Sequence, residues 1–124
     1  EATVREGGVI VMLAASGDGH GGKTFFETFR DGPDLDRMAE RFLATPAAET
    51  VPDQWQSQIF CRVLRKARVI FVSEAPDETV RALRMIPAHS LPEALSLAER
   101  LLGNGAATVT AIPDGVSVMV TEKS

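Results

Sequence analysis

The sequence predicts an α/β fold: a three-layer αβα sandwich built on a mostly parallel sheet, Rossmann-like in plan. Three observations predict it. Val9-Ile10-Val11-Met12-Leu13-Ala14-Ala15 is an unbroken apolar run with β-branched residues, the pattern of a strand buried on both faces. Arg68-Val69-Ile70-Phe71-Val72-Ser73 reads as a second buried strand. Between and after these runs, apolar residues recur at helical spacing. Strands alternating with helices require a sheet covered on both sides, and the 124 residues suffice for one domain with a core.

The elements follow in order. After the first run comes Ser16-Gly17-Asp18-Gly19-His20-Gly21-Gly22, with four glycines in seven positions. Glycine there permits backbone angles that a Cβ forbids and lets another group approach the main chain. Lys23 to Arg30 is a short helix whose Phe25, Phe26 and Phe29 share one face. Asp31-Gly32-Pro33 is a turn, and Asp34 to Ala44 a second helix with Leu35, Met38, Ala39, Phe42 and Leu43 apolar. Residues 45–52 form a loop. Asp53 caps a third helix, with Gln56 three residues on in a capping-box pattern, and Ile59, Phe60, Val63, Leu64 and Ala67 make its buried stripe.

After the second strand, Pro76 opens a helix from Asp77 to Arg84. Met85 to Ala88 is a brief third strand. Ser90-Leu91-Pro92-Glu93 starts a helix that runs to Leu102 and stops at Gly103-Asn104-Gly105. Thr108 to Ile112 is expected to be a last inner strand. Pro113-Asp114-Gly115 turns the chain, and Val116 to Val120 is an edge strand or tail.

Composition narrows the function classes. The chain has 13 basic and 17 acidic residues, a net charge of −4. Its basic residues are scattered apart from Arg62, Arg65, Lys66 and Arg68, and it has no Tyr and one Trp. A nucleic-acid binder would carry a basic patch, so none is expected as partner. No stretch approaches the ~20 apolar residues of a membrane span, and no signal peptide is visible. A single cysteine, Cys61, excludes an internal disulfide framework and reads as an inert core thiol in a cytoplasmic protein. The chain starts at Glu1, and Glu1 to Gly8 resembles the last turn of a helix meeting a glycine stop. A piece of a longer protein is therefore expected.

Topology selects the candidate site. A helix that crosses back between parallel strands starts at the carboxyl edge of the sheet. Gln54, Trp55 and Gln56, in the first turn of the third helix, therefore belong on the same edge as the Gly17–Gly22 loop. There α/β domains place their ligands. Gly17, Gly19 and Gly22 fit G-x-G-x-x-G after a strand and before a helix, a dinucleotide pattern. The acidic residue expected at the end of the second strand is Glu74, which follows about fifty residues later instead of the usual ~20. His20 stands in the loop as a candidate proton carrier or metal ligand, with a histidine hydrogen-bonded to backbone as the plainer reading. His89 reads as exposed or structural. The two histidines give no metal-ligand spacing, and no Ser, Cys or P-loop catalytic constellation is present.

Three stretches in this order resemble one family. They are Gly7-Gly8-Val9-Ile10-Val11 running into Ser16 to Gly22, then Pro52-Asp53-Gln54-Trp55-Gln56, then Ala67-Arg68-Val69-Ile70 with Ile112-Pro113-Asp114-Gly115-Val116-Ser117-Val118. Together they look like the C-terminal domain of the nickel-dependent lactate racemase family, over most of the chain. The resemblance implies residues 1–124 as the C-terminal lobe of a two-domain enzyme. Its N-terminal domain would hold a nickel pincer nucleotide and the two proton-exchanging histidines. It implies racemisation or epimerisation of a 2-hydroxy acid by hydride abstraction and return, with the isolated lobe inactive and carrying no catalytic residue or metal. A pocket tryptophan of the family matches Trp55. The candidate substrate contacts are Trp55, with Gln54 and His20 added on their positions at the rim and not on the resemblance, and the candidate cofactor contacts are Gly17, Gly19 and Gly22 of the loop pattern. The alternative is a nucleotide-binding Rossmann-like module that uses the Gly17–Gly22 loop and a helix amino end for phosphate.

Overall fold

The computed structural model describes residues 3–17, 19, 22–103 and 107–115. Its elements are β1 (Val9–Leu13), α1 (Lys23–Asp31), α2 (Leu35–Ala44), a 3₁₀ turn (Ala47–Glu49), α3 (Gln54–Lys66), β2 (Arg68–Val72), α4 (Asp77–Ala82), β3 (Ile86–Ala88) and α5 (Leu91–Leu102). The strands form one parallel sheet in the order β1-β2-β3. Val9 lies opposite Arg68 and Leu13 opposite Val72, and Ile70 to Val72 face Ile86 to Ala88.

Alternation along β2 sends successive side chains to opposite faces and so divides the core. Val69 joins Phe29, Met38, Cys61, Val80, Leu83 and Met85 beneath α1, α3 and α4. Ile70 joins Ala88 and Ala94 beneath α5. Helices thus cover both faces, as expected for a three-layer α/β sandwich. Phe25, Phe29 and Phe60 stack between α1 and α3 with centroids 4.9 to 5.4 Å apart. Cys61 is buried beside them, its thiol pushed above its ordinary pKa by desolvation.

The caps mostly follow the sequence. Asp34 Oδ1 accepts the Arg37 N–H at 3.0 Å, and Ser90 Oγ accepts the Glu93 N–H at 3.3 Å. Gly103, at φ 74°, ends α5. Asp53 is different. It sits in the left-handed region at φ 65° and makes no side-chain cap, so the expected capping box is absent. Its carbonyl instead accepts the N–H groups of Gln56 and Ser57 at 3.0 and 3.4 Å. Asp is among the non-glycine residues that enter this region most often.

Two strand expectations are corrected. β1 stops at Leu13, and among the described strands only β2 pairs with it. Val9 to Val11 are half-buried, while Met12 and Leu13 are 40% and 56% exposed, so β1 is not buried on both faces throughout. Thr108 to Ile112 carries no strand, and Val109 is 77% exposed. A β-branched run becomes a strand only where a ladder partner and a covered face exist. Val116 to Val120 lies outside the described residues. α4 ends at Ala82, earlier than expected, and Arg84 turns the chain at φ 63°. Among the described residues, no helix is long and apolar enough to cross a membrane.

Candidate functional site

α3 ends at Lys66 and leads at once into β2, so its first turn stands at the carboxyl rim of the sheet. Trp55 is in that turn and is 61% exposed, although it is the chain's largest apolar side chain. It lines a groove of about 300 Å³ together with Phe25, Gln56, Ile59, Phe60 and Val63. Phe25 belongs to the first turn of α1, and Gly22 is that helix's N-cap residue. A Cβ placed on Gly22 would stand 3.9 Å from that of Phe25. The end of the glycine loop and the indole therefore meet through Phe25 at one edge.

The start of the loop is tied down by backbone chemistry. The Ala14 N–H donates to Val72 O at 3.2 Å, and the Gly19 N–H to Ser16 O at 2.9 Å. Gly19 turns at φ 79°, a conformation that favours glycine. Gly17, Gly19 and Gly22 are all exposed. Glu74 Oε1 accepts the Ser16 N–H at 2.9 Å. That bond holds the Glu74 carboxyl below its ordinary pKa, because it stabilises the charged form.

Among the described residues, two buried side-chain polar atoms have no partner. Gln54 is only 9% exposed, and its Nε2 makes no hydrogen bond. Ser16 Oγ is likewise buried and unpaired. A buried polar atom left without a partner costs free energy. His20, with Asp18 and Gly21, lies outside the described residues. His89 is exposed, with Nε2 3.2 Å from Asp77 Oδ1, an ion pair when the imidazole is protonated.

A larger hollow of about 820 Å³ lies toward the far end of α3, lined largely by charged side chains such as Asp36 and Arg65. Those two pair with each other at 2.8 Å, and none of the sequence candidates lines it. Among the described residues, no group of three or more His, Cys, Asp or Glu side chains is placed to hold a metal ion.

The sequence did not reveal the groove. Ile59 was expected in the buried stripe but is 41% exposed. The available signal was the four-residue spacing of Trp55, Ile59 and Val63, a second apolar line on α3 beside the inward one. The bond from Ser16 to Glu74 had no local signal, because the two residues are 58 positions apart.

Comparison with known proteins gives the relationships. Residues 1–120 match the family model of the lactate racemase C-terminal domain. The chain is 41% identical over 124 residues to the lactate racemase of Thermoanaerobacterium thermosaccharolyticum, covering 99% of this chain and 29% of the relative. It is 43% identical over 121 residues to the lactate racemase of Lactiplantibacillus plantarum, covering 97% of this chain and 28% of the relative. The solved lactate racemase apoprotein from T. thermosaccharolyticum superposes with a TM-score of 0.89 at 40% identity, over 95% of this chain and 28% of that one. The chain thus spans less than a third of the length of these relatives.

Proposed function

The chain belongs to the lactate racemase C-terminal domain family, and from that premise we propose that it is one lobe of a racemase or epimerase of 2-hydroxy acids. The rest of the enzyme would be an N-terminal domain that faces the carboxyl rim and closes a cleft over the substrate. The reaction in this proposal is hydride abstraction from the substrate α-carbon and return to either face. That chemistry belongs to the nickel pincer nucleotide implied by the family. The described residues of this lobe offer no ligand set for nickel. In this proposal the cofactor is held by the N-terminal domain.

The lobe's own part is recognition and exclusion of water. Trp55 would present its indole as an apolar wall of the cleft. The unpaired amide of Gln54, one residue before it, would gain a partner on closure, from substrate or from a group that holds it. Gly17, Gly19 and Gly22 would let the facing domain or its cofactor approach the backbone closely. His20 remains a candidate substrate contact on its loop position alone. The isolated lobe would be inactive.

The observation that carries the reading is Trp55: a largely exposed indole on the rim where the glycine loop also ends. A lone lobe leaves it in water, whereas a cleft would cover it. The nucleotide reading is less favoured, because Glu74 turns its Oε1 onto Ser16. The test is to produce the full-length protein with its cofactor loaded and to follow interconversion of 2-hydroxy acid enantiomers by chiral chromatography. Turnover of at least one acid, with nickel bound, is expected. No turnover of any such acid and no nickel would overturn the proposal.

A further inference from the structure

The apolar line on α3 continues past the rim. Trp55 stands in the first turn, and Ile59 and Val63 follow at four-residue intervals, about 6 and 12 Å further along the helix axis. Phe25 of α1 and Phe60 of α3, with ring centroids 5.4 Å apart, complete the groove. Ile59 is exposed, while Phe25, Phe60 and Val63 are half-buried. None of the six lining side chains is charged, and Gln56 is the only one with an amide. Apolar surface gathered in one place on a lone lobe marks a contact surface.

Two arguments choose its occupant. A 2-hydroxy acid is an anion at neutral pH, and this groove has no cation to pair with a carboxylate. A ridge of uncharged protein side chains needs none. More than two thirds of each relative's length also lies outside the span that matches this chain. A covalently joined domain meets the groove at an effective concentration of about a millimolar, above that of a separate copy in dilute solution. We propose that the remainder of the same protein is seated on this groove, with apolar side chains of one of its helices lying between the Trp55–Ile59–Val63 line and Phe25. The inference rests on the reading of this chain as one lobe of a longer protein. It adds to the contact across the rim a second one, beside α3, that does not depend on substrate. Trp55 ends in the cleft, whereas Ile59 and Val63 belong to a standing interface between the lobes.

The test uses the full-length protein without substrate. Ile59→Cys and, separately, Gln56→Cys replace exposed lining side chains, so the fold should tolerate both. Each thiol is treated with a maleimide, and its labelling is followed by tandem mass spectrometry, which separates it from buried Cys61. We expect labelling at least tenfold slower in the native protein than in urea, at every protein concentration and with or without lactate. Labelling as fast in the native protein as in urea would show an open surface and overturn the inference. Slow labelling only after lactate is added would make substrate the occupant, and slow labelling only at high protein concentration a second copy. Either result overturns it as well. The readout needs no turnover, so the racemase reading stands or falls separately, on interconversion of the acids.

Discussion

Glu74 and Ser16, 58 residues apart, are joined by a 2.9 Å hydrogen bond from the Ser16 N–H to Glu74 Oε1. The end of β2 thereby fixes where the chain leaves β1. A loop dense in glycine has much conformational entropy to lose. This single bond, with Gly19 folded back on Ser16 O, settles its first turn.

The bond makes the loop sensitive to acid. Because the folded Glu74 pKa is depressed, its contribution is complete above the ordinary glutamate value of about 4.3 and is lost as pH falls through the lower, folded value. The Ser16 amide signal in NMR should therefore titrate with a midpoint below about 4.3, and not at all in Glu74→Ala. A midpoint at or above that value would mean the bond does not form in solution.

Arg84 should matter for stability more than its exposure suggests. Its Nε donates to Phe29 O and its Nη2 to Gly32 O, both at 2.8 Å, so it satisfies carbonyls at the end of α1. Arg84→Ala should lower unfolding free energy by about 1–2 kcal/mol in urea titrations. Ala keeps the strained positive φ, so the loss reports the side chain. A change under about 0.5 kcal/mol would show that water serves those carbonyls equally well.

Trp55 should separate function from folding. In the full-length enzyme, Trp55→Ala is expected to lower kcat/KM by about tenfold or more with little change in the urea midpoint, since most of the indole is already in solvent. Trp55→Phe should fall between. Unchanged kinetics in both variants, with an intact fold, would remove Trp55 from the pocket.

Much of this was legible in advance. The Lys23, Asp34 and Ser90 helix starts and the apolar β2 run lie where periodicity and capping residues place them, because these signals are local. The rim position of Trp55 also followed, since a crossover helix must start at the carboxyl edge. Asp53 was misread: its sequence context fits a side-chain cap, yet the tight entry from Val51 puts it at φ 65°. Ile59 was misread because two apolar lines share α3, and the packing of α1, α2 and β2 against it decides which one is covered.

By itself, then, the sequence determined the layers: hydrophobic periods of two and of 3.6 oblige strands and helices to bury particular faces, whatever lies beyond them. Tertiary structure alone decided the edges of those layers. β1 has one described partner strand, 107–112 has none, Glu74 reaches back to Ser16, and Trp55 and Ile59 stay in water. Each of these outcomes depends on which distant segment arrives alongside, and contacts between distant segments leave no periodic trace along the chain.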